Sequence, residues 1–75
     1  MRNHDMGSIR DNGTGIIDHI DAPDDIRKRL YGYGFMEGCE VLVLYNKGNA
    51  MIVRVGNSKI ALENKLASKI FLRTA

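Results

Sequence analysis

The sequence predicts a mainly β domain with one short helix, a small β-barrel of about five strands. Three observations carry this. Short apolar runs recur at close spacing between turn residues, the pattern of small closed sheets. Only one segment, after Pro23, combines helix-start chemistry with apolar residues four apart. And Gly32, Gly34 and Gly38 divide a charged helical pattern from an apolar strand pattern, a shaped helix-to-strand junction. Closing the sheet hides its edges, which matters in a chain of 75 residues with little else to cover them.

The elements follow in order. Residues 1–12 are polar and read as a loose lead-in, with Ile9 packed down. Over residues 14–20, Ile16, Ile17 and Ile20 are β-branched but do not alternate, which predicts a strand with a bulge. Asp21 or Ala22 can cap a helix, Pro23 suits its first turn, and Asp24 and Asp25 complement its positive end. Ile26 and Leu30 share a face, and Gly32 or Gly34 can end the helix in the left-handed conformation. Residues 39–45 form the clearest strand, with Val41, Val43 and Tyr45 on one face. A turn at residues 46–49 leads to a strand over 51–55, whose Met51, Val53 and Val55 share a side. Gly56 and Asn57 form a two-residue hairpin loop, followed by a strand over 58–62. One helical turn over 63–68 and a last strand over 69–73 complete a single domain, residues 1–75.

Charge and composition exclude several classes. The net charge of +2 is too small to imply nucleic-acid binding by itself. The charge is uneven: residues 1–25 carry −4 and residues 26–75 carry +6. Cys39 is the one cysteine, so no internal disulfide supports the fold. No apolar run approaches the roughly 20 residues that span a bilayer, and no apolar segment follows Arg2 as in a signal peptide. The expectation is a soluble cytoplasmic protein.

Catalytic chemistry finds no pattern. The serines lack a nucleophile elbow, and Asp24 with Asp25 is explained by helix capping. The glycine spacing is one residue too long for a dinucleotide fingerprint and follows a helix rather than a strand. The chain is expected not to be an enzyme. Metal ligands could come from His4, Asp5, Asp18, His19, Asp21 and Cys39, but no pair has a known ligand spacing, and His4 and His19 are the weak candidates. Arg27, Lys28 and Arg29 lie beside Tyr31, Tyr33 and Phe35, a basic and aromatic set that an RNA-binding barrel can use. On the helix and junction, Arg27, Lys28, Tyr31, Tyr33 and Glu37 are the candidate partner contacts.

At the junction the chain resembles the FeoA family of small cytoplasmic proteins of bacterial ferrous iron uptake. That family's junction reads Arg-Leu-x-x-Leu-Gly-hydrophobic-x-Pro-Gly-x-x-Val, and Arg29, Leu30, Gly34, Phe35, Gly38 and Val41 match it. Ile60, Ala61, Leu62, Ala67, Ile70 and Leu72 match a second segment, and Gly13, Ile17 and Ile20 match upstream, so the resemblance spans residues 7–73. Tyr33 stands where the family has leucine and Glu37 where it has proline, which removes a fixed φ from the turn. The resemblance implies an SH3-like barrel and docking on FeoB, the membrane ferrous iron transporter with a cytoplasmic GTP-binding domain. No cofactor is required on this reading; Fe²⁺ or another divalent transition metal is the alternative ligand. The same barrel resembles the C-terminal domain of iron-dependent repressors, whose upstream helix-turn-helix a chain of 75 residues has no room for.

Overall fold

A computed structural model describes residues 3–74. It is built on one antiparallel six-stranded sheet: β1 (His4–Asp5), β2 (Thr14–Ile20), β3 (Glu40–Asn46), β4 (Ala50–Val55), β5 (Ser58–Glu63) and β6 (Ile70–Arg73). The strand order is β1-β6-β2-β3-β4-β5. Helix α1 (Asp24–Gly32) joins β2 to β3, and the single turn α2 (Asn64–Ala67) joins β5 to β6. The fold class is as the sequence predicts, with two corrections. Among the described residues there are six strands rather than five, and the sheet is not closed, because β1 and β5 end the order without pairing with each other.

The gap between those ends is bridged by side chains. Asn46 Nδ2 donates to the carbonyls of Gly7 (3.1 Å) and Ile9 (2.6 Å), and Asn64 Nδ2 donates to Gly7 (2.9 Å). The backbone N–H of Asn46 donates to Asp11 Oδ1 at 2.7 Å. Amides therefore do at this seam what a ladder does elsewhere.

From residue 4 onward the lead-in is not loose. His4 and Asp5 pair with Leu72 and Phe71, and a 3₁₀ turn, Met6–Ser8, carries Met6 fully into the core. Residues 1 and 2 lie outside the described residues. A lone buried methionine leaves no periodic trace, which is why the pattern misses it. Ile9 packs against the core as expected.

The core consists of Met6, Ile17, Ile20, Ala22, Leu30, Phe35, Val41, Val43, Met51, Val53, Val55, Leu62, Ala67, Ile70 and Leu72. Burying each valine, leucine, isoleucine, phenylalanine and methionine among them contributes about 1.5–3 kcal/mol, and among the described residues no polar or charged residue is buried with them. Two bulges set which residues stay outside. In β2 the register against β6 shifts between Ile17 and His19, so Asp18 is the extra residue and Ile20 returns to the core, as its broken alternation predicts. In β3 the register against β4 shifts between Val43 and Tyr45. Tyr45 therefore faces out, 45% exposed, rather than inward with Val41 and Val43.

Candidate docking surface

α1 begins on Pro23, whose extended backbone makes it the N-cap, and no side chain caps the first turn. The capping expected from Asp21 is absent, since Pro23 moves the start past it. Asp24 and Asp25 still lie in the first turn, where the helix dipole favours them. Leu30 is fully buried and Ile26 packs half-buried against the core, which seats the helix by one edge.

Its C-terminus is a Schellman motif. The N–H of Phe35 donates to Leu30 O (3.0 Å) and that of Gly34 to Tyr31 O (2.9 Å), with Gly34 at φ +103°. Leu30 and Phe35 are both fully buried, the apolar contact this motif brings together. A tight turn follows, closed by Cys39 N–H on Met36 O at 3.1 Å, with Gly38 at φ +88° in its third position. A positive φ there is the signature of a type II turn. The turn is tied to β2: Gly38 N–H donates to Ile17 O (2.8 Å) and Ile17 N–H to Cys39 O (2.9 Å). Gly32 is the last helical residue, and a Cβ on it would meet nothing within 4 Å.

On this rigid frame three of the five candidate contacts form one cluster. Tyr31 Oη donates to the Glu37 carboxylate, 3.1 Å from each oxygen. The phenol is pushed above its usual value, first by burial, then by the bond to Glu37 and its charge, while Arg27 pulls the other way. Arg27 is half-buried, donates to Ala22 O at 3.2 Å and holds its Nε buried without a partner among the described residues. Lys28 is exposed, as is Tyr33 at 39%. Met36, 47% exposed, opens the turn of the same junction and carries no mark in the sequence pattern. A single methionine in a glycine-rich segment has no partner at helical or strand spacing to mark it.

The two histidines are not brought together. His4 lies opposite Leu72 and His19 opposite Phe71, and consecutive strand residues point to opposite faces. His19 stacks on Phe71 with ring centroids 4.8 Å apart, and its Nδ1 donates to Asp18 Oδ2 at 2.7 Å. Asn3 Nδ2 also donates to Asp18 Oδ2, and Arg73 lies 3.5 Å from Oδ1. The Asp18 carboxyl is held below its usual value, mainly by the hydrogen bond from His19. Among the described residues no three His, Cys, Asp or Glu side chains converge as a metal site. Cys39 is a free thiol, half-buried against the core. Of the basic and aromatic set, Phe35 is fully buried and unavailable for stacking on a base.

A short helix and a glycine-shaped turn, held on one face of a small antiparallel sheet, define an SH3-like module with a rigid exposed lip. The chain belongs to the FeoA family: the FeoA domain matches residues 5–74. A search of curated proteins finds no match. Among solved structures, the crystal structure of an iron uptake regulatory protein, FeoA, superposes with a TM-score of 0.88 at 22% identity over 97% of both chains. The zinc-complexed FeoA of Stenotrophomonas maltophilia, described as an SH3 domain protein, superposes at 0.78 with 23% identity, covering 91% of this chain and 87% of that one. A manganese-dependent transcriptional repressor with bound manganese superposes at 0.90 with 18% identity over all of this chain, which spans 38% of the repressor. No helix among the described residues is long and apolar enough to cross a membrane.

Proposed function

We propose that this protein is an accessory factor of ferrous iron uptake that docks through α1 and the glycine junction on the cytoplasmic part of the transporter FeoB, and acts by binding alone. Membership of the FeoA family supports the pathway. The Stenotrophomonas relative is itself described as a candidate activating factor of bacterial ferrous iron transport. The observation that carries the docking reading is the exposure of Tyr33 and Met36 on a backbone fixed by the Schellman motif and the type II turn. A backbone already ordered beneath exposed apolar side chains avoids the loop-ordering cost when a partner covers them. Lys28 and the Arg27–Tyr31–Glu37 cluster supply a polar rim. A module that prefers one nucleotide state of the transporter shifts that state's population by its differential affinity and needs no chemistry of its own.

Calorimetric titration against the cytoplasmic part of FeoB in apo, GDP-bound and GTP-analogue states tests this. Saturable binding with Kd of about 1–100 μM is expected, weakened about tenfold by Tyr33→Ala with Met36→Ala. Absence of binding in every nucleotide state ends the proposal.

A further inference from the structure

We propose that β5 is a self-complementary edge through which two copies of this chain pair antiparallel about a two-fold axis at Ala61. β5 is bonded to β4 on one side only. Its backbone direction follows from two observations. The β4–β5 hairpin closes with Val55 opposite Ser58 across a two-residue loop, and beyond the strand Asn64 N–H donates to Asn49 O at 2.9 Å. Both place Ser58, Ile60 and Leu62 with their N–H and C=O groups toward β4. Lys59, Ala61 and Glu63 therefore point theirs outward; Glu63, the N-cap of α2, already gives its C=O to the first helical bond, and no loop or side chain caps the other outward groups among the described residues.

A second β5 laid antiparallel with Ala61 opposite its own copy pairs all the outward donors and the free outward acceptors, with the Glu63 C=O shared between α2 and the copy's Lys59 N–H. The same register sets Lys59 opposite the partner copy's Glu63, and the reverse, so the two-fold generates two ion pairs. Neither residue has an ion-pair partner among the described residues of its own chain. Lys59 is moreover opposed by Arg54 on β4, a like-charge cross-strand pair that a carboxylate on its free side would relieve. Moving the centre to Ile60 sets Glu63 against Asn57 of the hairpin loop, moving it to Leu62 sets Lys59 against Lys65 of α2, and either shift loses both Lys–Glu contacts, so strand bounds and charge together select the register. On the outer face Tyr45, Ile52 and Ala61 form one cross-strand row, with Tyr45 and Ile52 45% and 40% exposed. Pairing at Ala61 joins that row to its copy in one apolar stripe across the axis, with the smallest side chain where the chains meet.

Sedimentation velocity on the full chain over a concentration series, to about 0.5 mM, reads the equilibrium. A reversible dimer is expected. Lys59→Glu and Glu63→Lys each oppose like charges and should weaken it about tenfold, while the double exchange should recover it to within about threefold. Ala61→Pro removes an outward N–H that β4 does not use, and should give a monomer with unchanged circular dichroism. A chain that stays monomeric throughout overturns the proposal. So does a dimer indifferent to both charge reversals, whose contact then lies on another face, and so does a β5 edge that takes up only an extended segment of a different protein. The charge variants leave the α1 surface intact, so this result is separable from docking on FeoB.

Discussion

Of the three junction glycines, two are fixed by backbone conformation and one is not. Gly34 at φ +103° and Gly38 at φ +88° occupy a region that side-chain-bearing residues rarely adopt. Gly34→Ala should cost about 1–2 kcal/mol. Gly32 is helical with open space around it, so Gly32→Ala should instead stabilise by about 0.5–1 kcal/mol through helix propensity. Chemical denaturation midpoints of the two variants, moving in opposite directions, check this. From sequence Gly32 and Gly34 were equal candidates for the left-handed end of the helix, since glycine spacing marks a turn but not which residue crosses to positive φ. Asp18 makes a second case at this scale. Its folded pKa lies below the unfolded value of 3.8, so its ionised form stabilises the fold above that pH, and the contribution is lost as pH falls through the folded value. Asp18→Asn should therefore lower stability at neutral pH, with the gap to wild type closing below about pH 3.8, as acid-unfolding curves will show.

At the scale of elements, legibility followed local chemistry. α1 was readable because Pro23, the two aspartates and the Ile26–Leu30 spacing agree, and the β2 bulge was readable because three isoleucines break alternation. The β3 bulge was not: Tyr45 continues the alternation of Val41 and Val43, and only pairing with β4 reveals that it turns outward. The junction's two departures from the family pattern have different consequences. Tyr33 replaces a leucine and stands 39% exposed, adding contact surface. Glu37 takes the second position of the type II turn, where proline is favoured, and holds Tyr31 through its carboxylate. Glu37→Pro should leave stability within about 1 kcal/mol, since fixed φ offsets a lost exposed hydrogen bond. It should also bring the Tyr31 phenol back toward its usual value, with burial keeping it partly raised. An NMR titration of the Tyr31 ring reads the shift; an unchanged phenol would show that Glu37 does not reach it in solution.

For the whole molecule, the open question of a small sheet is what holds its two ends together. Full closure was expected from sequence because a barrel abolishes its edges, and no amide contact across the seam leaves a mark in hydrophobic pattern. Here Asn46 and Asn64, from the end of β3 and the start of α2, both donate to the Gly7 carbonyl, and Asn46 also reaches Ile9. The seam thereby fastens the segment that delivers Met6 to the core, so local polar contacts secure a fully buried side chain. Asn46→Ala strands the half-buried Ile9 carbonyl, leaves Gly7 with Asn64 alone and removes the Asx-type contact from Gly48 N–H, and should cost about 1–3 kcal/mol. Asn64→Ala should cost less, because Asn64 makes this one side-chain bond and Gly7 keeps Asn46 as a donor. The double variant leaves Gly7 with neither donor, so its loss should exceed the sum of the single losses by about 0.5 kcal/mol or more. Denaturation of all four proteins measures that coupling, and hydrogen exchange should show the Met6–Ser8 turn opening in the double variant before the β2–β3–β4 ladder does. Strict additivity would mean that the two asparagines act independently and that the core contact of Met6 alone keeps the sheet's ends together.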